Sequence, residues 1–110
     1  MTDCIFCKIA NKEIPTVPVY EDEKVIAFND LNPQAPVHIL VIPKAHYASL
    51  KEIEDFDVMS DLFRAVAEIT KKQNISDFRT VINTGAEAGQ SVFHIHVHIL
   101  AGRPLNWPPG

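Results

Sequence analysis

No stretch of this chain of 110 residues holds the roughly 18 to 20 consecutive apolar residues that a membrane-spanning helix needs, so no membrane-embedded protein is expected. Basic residues are also short: ten Lys and Arg stand against fourteen Asp and Glu, a net charge of −4 at neutral pH. No whole-protein positive field is then available to gather nucleic acid or an anionic membrane, and neither is expected as a partner. An anionic ligand would have to be held by local donors. The opening Met-Thr-Asp-Cys-Ile-Phe-Cys-Lys-Ile-Ala lacks the basic start and long apolar stretch of a secretory signal, which makes the cytoplasm the expected location. With two cysteines only, a disulfide framework is excluded, and a structural disulfide is not expected in that compartment. No internal repeat, low-complexity tract or Ser/Gly-rich linker divides the sequence, so residues 1–110 are expected to form one domain around one core. What the chain does have is histidine. Of five, three fall at 94, 96 and 98.

Periodicity supplies a coarse architecture. Ile5, Phe6 and Ile9 have helical spacing, with Asp3 available as a cap and Pro15 and Pro18 as stops, which predicts a short first helix. Lys24–Asp30 and Val37–Ile42 read as strands separated by the turn-rich 32–36, the second apolar enough to be central. Phe56, Met59, Leu62, Phe63, Val66 and Ile69 recur at three- and four-residue intervals, predicting an amphipathic helix of about 18 residues. Acids at 54–55 and lysines at 71–72 agree with its dipole. A strand over Phe78–Asn83, a glycine-containing loop over Thr84–Gln90 and a longest strand over Val92–Leu100 complete an α+β fold with a mostly antiparallel sheet.

In that last strand the alternation is strict, placing all three imidazoles on one face and Phe93, Ile95, Val97 and Ile99 on the other. The plain alternative is a strand with polar residues facing water. A single metal bound by all three is excluded by a strand rise of ~3.3 Å per residue, which starts residues 94 and 98 about 13 Å apart. The triplet therefore divides. Cys4 and Cys7 have the Cys-x-x-Cys spacing of zinc hairpins and need two further ligands, for which His46 and His94 are the candidates; incidental buried thiols are the alternative. His96 and His98 are left for a reaction. The preceding loop with Gly85, Gly89, Gln90 and Ser91 offers N–H groups and small polar side chains to an anion. It lacks the Gly-Lys-Ser/Thr ending of a P-loop and has no carboxylate cluster beside it for Mg²⁺. A neutral imidazole attacks phosphorus at neutral pH, and a second can hold the developing charge, so metal-free covalent phosphoryl or nucleotidyl transfer fits.

His94-Ile-His96-Val-His98-Ile-Leu100 resembles the signature of the histidine triad (HIT) superfamily. Further segments resemble its Hint branch: Ile5-Phe6, Lys8-Ile9, Phe28-Asn-Asp30, Pro33–Pro36, His38, Val41–Lys44, Gly89-Gln-Ser91 and the ending Asn106-Trp-Pro-Pro-Gly110. That resemblance implies purine nucleotide binding and hydrolysis of nucleoside phosphoramidates, with His96 as the nucleophile that forms a nucleotidyl-histidine. It implies His98 on the phosphoryl oxygens, Ser91 on the leaving group, and Asn83, Gly89 and Gln90 around the phosphate. Asp30 and the Leu31 backbone would take the ribose hydroxyls, and Ile5, Phe6, Ile9, Phe28 and Leu31 would form the base slot or, equally, plain core. His38 would support the site.

The same resemblance implies a homodimer in which two five-stranded sheets join into one of ten strands, with the C-terminal segment reaching the partner's site. The uridylyltransferase branch carries Gln where His98 stands, which favours a hydrolase. A dinucleoside polyphosphate hydrolase and a nucleotide-binding regulatory module with vestigial activity are the alternatives. The cysteine pair departs from the best-known animal members and resembles many bacterial relatives, in keeping with structural zinc.

Overall fold

The structure, a computed structural model, describes residues 3–110. Five strands form one antiparallel sheet: β1 (Tyr20–Glu21), β2 (Val25–Asn29), β3 (Val37–Pro43), β4 (Phe78–Val81) and β5 (Val97–Ala101). Their order across the sheet is β1-β2-β3-β5-β4. Helix α1 spans Ile5–Ala10 and α2 spans Asp57–Lys72. The α+β class with an antiparallel sheet is as the sequence predicts. Among the described residues no helix is long and apolar enough to cross a membrane.

Alternation along the strands sends successive side chains to opposite faces, and both faces are covered. Val25, Ala27, Ile39, Val41, Val97 and Ile99 pack against Leu62, Ala65, Val66 and Ile69 of α2. Ile26, Phe28, Leu40 and Ile42 pack against Phe6, Ile9 and Ala10 of α1. This double burial explains why β3 reads as an uninterrupted apolar run. Register then places His98 opposite Leu40, and Leu40 opposite Phe28, so that His98 stands on the α1 face.

Several local expectations are corrected. The first helix is capped by Cys4, whose Sγ accepts from the Cys7 N–H at 3.4 Å, rather than by Asp3. Helix α2 starts at Asp57, preceded by Asp55, whose Oδ1 accepts from the Asp57 N–H at 3.0 Å. Phe56 and Phe63 belong to the periodic stripe but are 66% and 43% exposed, because Leu62, Ala65, Val66 and Ile69 already fill the space over the sheet.

The last strand is shorter than its alternation suggests: β5 begins only at Val97, and β3 is the longest strand. Residues 92–96 spend their backbone groups elsewhere. The Val92 carbonyl accepts from Gln90 Nε2 at 3.0 Å, the His94 carbonyl accepts from His96 Nδ1 at 2.8 Å, and the Ile95 N–H donates to the Tyr47 carbonyl at 2.7 Å. With these groups taken, no ladder can form there.

Candidate functional site

Where α1 lies across the sheet, a cavity of about 570 Å³ opens between its side chains and the carboxyl-side histidines of the chain. Ile5, Phe6 and Ile9 from α1, Phe28 from β2 and the following Leu31 line it, together with Asp30, Ser91, His96 and His98. The structure thus brings the five apolar positions singled out from sequence into one cavity with the imidazoles of His96 and His98. Ile14–Val17 and Leu40 also line it, and none of them is among the pocket residues expected from sequence. Two other clefts, of about 700 and 650 Å³, lie at the β4 edge and beside α2 and contain no histidine.

Hydrogen bonding fixes the protonation pattern of the buried imidazoles. His96 is 7% exposed, and its Nδ1 donates to the His94 carbonyl, which leaves the lone pair on Nε2. A second chain begins at the Gln34 N–H, which donates to His38 Nδ1 at 2.9 Å. His38 therefore carries its proton on Nε2 and donates it to His98 Nδ1 at 2.9 Å. His98 in turn must carry its proton on Nε2. That atom is the one buried side-chain nitrogen or oxygen without a partner among the described residues, an N–H waiting for an acceptor.

The same geometry decides how to read the close approach of Asp30, His38 and His98. A cation there would displace the His38 proton to Nδ1, facing the Gln34 N–H donor to donor. The trio is a hydrogen-bond relay, with Asp30 Oδ2 3.4 Å from His38 Nε2. Burial, followed by the neighbouring His96 and His38, pushes the His98 pKa down to about 4; burial also lowers that of His96. Both rings are then neutral at pH 7, one presenting a lone pair and the other an N–H. Their ring centroids are 4.9 Å apart.

The glycine-containing loop is braced from inside. Gln90 is buried, its Oε1 accepts from the Gly85 N–H at 2.9 Å, and its Nε2 donates to the Ala48 and Val92 carbonyls. The Gln90 N–H donates to the Gly85 carbonyl at 3.0 Å, so its polar groups shape the loop. Gly89 has φ +104°, and a Cβ there would stand 3.4 Å from Asn83 Nδ2, so the Asn83 side chain packs against the turn. Ser91 is exposed and lines the cavity.

The cysteine pair meets His46 and His94 beyond the other side of Phe6. Cys4 Sγ lies 3.3 Å from His94 Nδ1, Cys7 Sγ lies 3.3 Å from His46 Nδ1, and the two Nδ1 atoms are 3.1 Å apart. A zinc tetrahedron with Zn–N of ~2.0–2.1 Å and Zn–S of ~2.3 Å has edges of ~3.3–3.8 Å. The four donors, all within 4.8 Å of one another, fit that ion. His94 Nε2 donates to the Pro43 carbonyl at 2.8 Å, which keeps Nδ1 free as a ligand and orients the ring from behind. Burial, followed by the hydrogen bond and charge of the neighbouring Cys4, raises the pKa of the Cys7 thiol.

A five-stranded antiparallel sheet with an apolar cavity and two imidazoles on its α1 face defines a small α+β protein, and its relatives place it in the hydrolase or nucleotide-binding class. Residues 3–104 match the family model described as "Scavenger mRNA decapping enzyme C-term binding". The chain is 50% identical over 111 residues to a 14 kDa zinc-binding protein of Zea mays, covering 96% of this chain and 87% of that protein. It is 47% identical over 111 residues to the adenylylsulfatase HINT1 of Arabidopsis thaliana, covering 96% of this chain and 76% of that protein. A HIT family hydrolase of Legionella pneumophila superposes with a TM-score of 0.93 at 41% identity, covering 98% of this chain and 100% of that one. The chain belongs to the histidine triad (HIT) family.

Proposed function

We propose that this HIT-family protein hydrolyses purine nucleoside phosphoramidates through a nucleotidyl-histidine intermediate. The observation that supports this reading best is the complementary pair in the cavity, His96 Nε2 with a lone pair beside the unpartnered Nε2–H of His98. His96 Nε2 attacks the α-phosphorus, a P–N bond forms to the imidazole, and the P–N bond to the leaving nitrogen breaks as that nitrogen takes up a proton from solvent, which the later attack of water returns. His98 Nε2–H holds a phosphoryl oxygen through the transition state. His38, fixed by the Gln34 N–H, keeps the His98 proton on the reacting side. Ser91 contacts the leaving amine. Water then attacks the same phosphorus, releasing the nucleoside monophosphate and restoring His96.

On this reading the apolar slot takes the purine, and Asp30 with the Leu31 backbone takes the ribose hydroxyls. Asn83, Gly89 and Gln90 set the loop that leads to the phosphate. The imidazoles carry the chemical step without a metal. Zinc, when held by Cys4, Cys7, His46 and His94, supplies a structural cross-link. The working unit is one HIT domain over residues 1–110, paired as a homodimer with the exposed Trp107 segment reaching the partner's site.

The Arabidopsis relative's name points to a second substrate, adenylyl sulfate, which shares the adenylyl half and differs in the leaving group. Parallel assays of an adenosine phosphoramidate carrying a fluorescent amine, adenylyl sulfate and a dinucleoside polyphosphate separate the readings. The phosphoramidate should show the highest kcat/KM, by about tenfold or more, equivalent to ~1.4 kcal/mol of transition-state discrimination. Absence of amine release, or faster turnover of either other substrate, contradicts the assignment.

A further inference from the structure

The first helix serves two sites at once. Cys4 caps α1 and Cys7 lies in its first turn, so both sulfurs of the cysteine–histidine centre belong to this six-residue helix and its cap. Ile5, Phe6 and Ile9 of the same helix form a wall of the cavity. A helix this short does not hold itself in water, so its position is set by what it is tied to. Its apolar tie is the packing of Phe6, Ile9 and Ala10 on the sheet; its polar tie is the pair of thiols facing His46 and His94.

His94 is the joint between the two sites. Its Nδ1 faces the sulfurs, while its carbonyl holds Nδ1–H of His96. The Phe6 ring stands edge-on to both imidazoles, with centroids 5.9 Å from His94 and 5.1 Å from His96. A rotation of α1 would therefore move the slot wall and the contact that backs His96 together.

We infer that metal binding at Cys4, Cys7, His46 and His94 and nucleotide binding in the cavity are thermodynamically coupled, each raising the affinity for the other by the same factor. The inference rests on the nucleotide reading above and adds a regulatory property to it. A metal fixes both sulfurs to His94 and so orders α1. A purine seated against Ile5, Phe6 and Ile9 orders the same helix. Whichever ligand binds first meets the ordering cost, and the second binds without it. Site-to-site couplings commonly run about 5- to 150-fold, and one shared short helix puts this one at about tenfold. His46 is exposed, is absent from the cavity lining and takes part in the metal centre alone, so its side chain separates the two functions experimentally.

The test uses the full chain stripped of metal. Zn²⁺ is titrated against a chromophoric chelator with and without saturating adenosine monophosphate, corrected by a protein-free blank. Adenosine monophosphate affinity is measured by calorimetry on stripped and zinc-loaded protein. Both comparisons should give the same ratio, about tenfold, and His46→Ala should bind the nucleotide with the stripped protein's affinity whether or not zinc is added. Equal affinities in the two forms overturn the coupling alone. Absence of nucleotide binding in both forms overturns the nucleotide reading with it, and absence of zinc binding overturns the metal centre. Should stripping unfold the chain, the equilibrium partition of zinc between loaded protein and a competing chelator should shift about tenfold toward the protein with saturating nucleotide, and an unchanged partition overturns the coupling.

Discussion

Replacing His96 with alanine should lower kcat on an adenosine phosphoramidate by roughly 10⁴- to 10⁶-fold, the range seen when a covalent nucleophile is removed. Nucleotide affinity should stay within a few-fold. The expectation follows from the lack of a substitute. His98 Nδ1 is occupied by the His38 N–H, and its Nε2 carries the proton, so it offers no lone pair to phosphorus. Among the described residues that line the cavity, His96 is the only other imidazole. The apolar residues of α1 and Phe28 that form the slot are all retained, the substitution removing only the edge-on contact of His96 with Phe6, which is why binding should survive. Steady-state kinetics with calorimetry of adenosine monophosphate binding check both halves, and a rate loss under about tenfold would mean that another group attacks.

A second large effect concerns stability. Leu62→Ala should cost about 3–4 kcal/mol, because Leu62 is fully buried between α2 and the strands and truncation leaves a cavity in a packed core. For a domain of this size that lowers Tm by roughly 10–15 °C. Phe56→Ala, from the same periodic stripe but 66% exposed, should cost no more than about 1 kcal/mol. Urea unfolding with matched m values measures the pair, and equal losses would contradict the placement of the α2 face.

The contrast between Leu62 and Phe56 also shows where sequence reasoning reaches its limit. Period 3.6 identifies α2 and its length to within two residues or so, yet an apolar stripe wider than the sheet can cover leaves its margins in water. Strand β3 was legible because burial on both faces leaves an unbroken apolar run. Strand β1, with two residues, has no pattern to read. The alternation through 93–99 is real, but it cannot report that the backbone of 92–96 is bonded to Gln90, Tyr47 and His96. The division of the histidines does not depend on the strand that suggested it: a bend, and not the rise of a continuous strand, turns His94 toward the cysteines.

Within the site, the grouping of His96 with His98 was legible in the alternation, and the pairing of His98 with His38 was not. His38 and His98 meet because β3 and β5 pair with His38 opposite Leu100 and Leu40 opposite His98, which makes the two imidazoles diagonal neighbours on one face. No local pattern contains that register. The direction of the proton chain needs in addition the Gln34 N–H, four residues before His38. Gln90 looked available to an anion as a loop amide, but its full set of internal partners became visible only with Ala48 folded beside it.

The central claim, covalent catalysis by His96, is tested most directly by mixing the protein with an adenosine phosphoramidate for a time shorter than one turnover. An alkaline quench, which preserves a phosphorus–nitrogen bond, is followed by intact-mass and peptide-mapping measurements. The account predicts one adenylyl group per chain on the His96 peptide, absent from His96→Ala. An adduct on another residue, or substrate turnover with no adduct at any quench time, would contradict it.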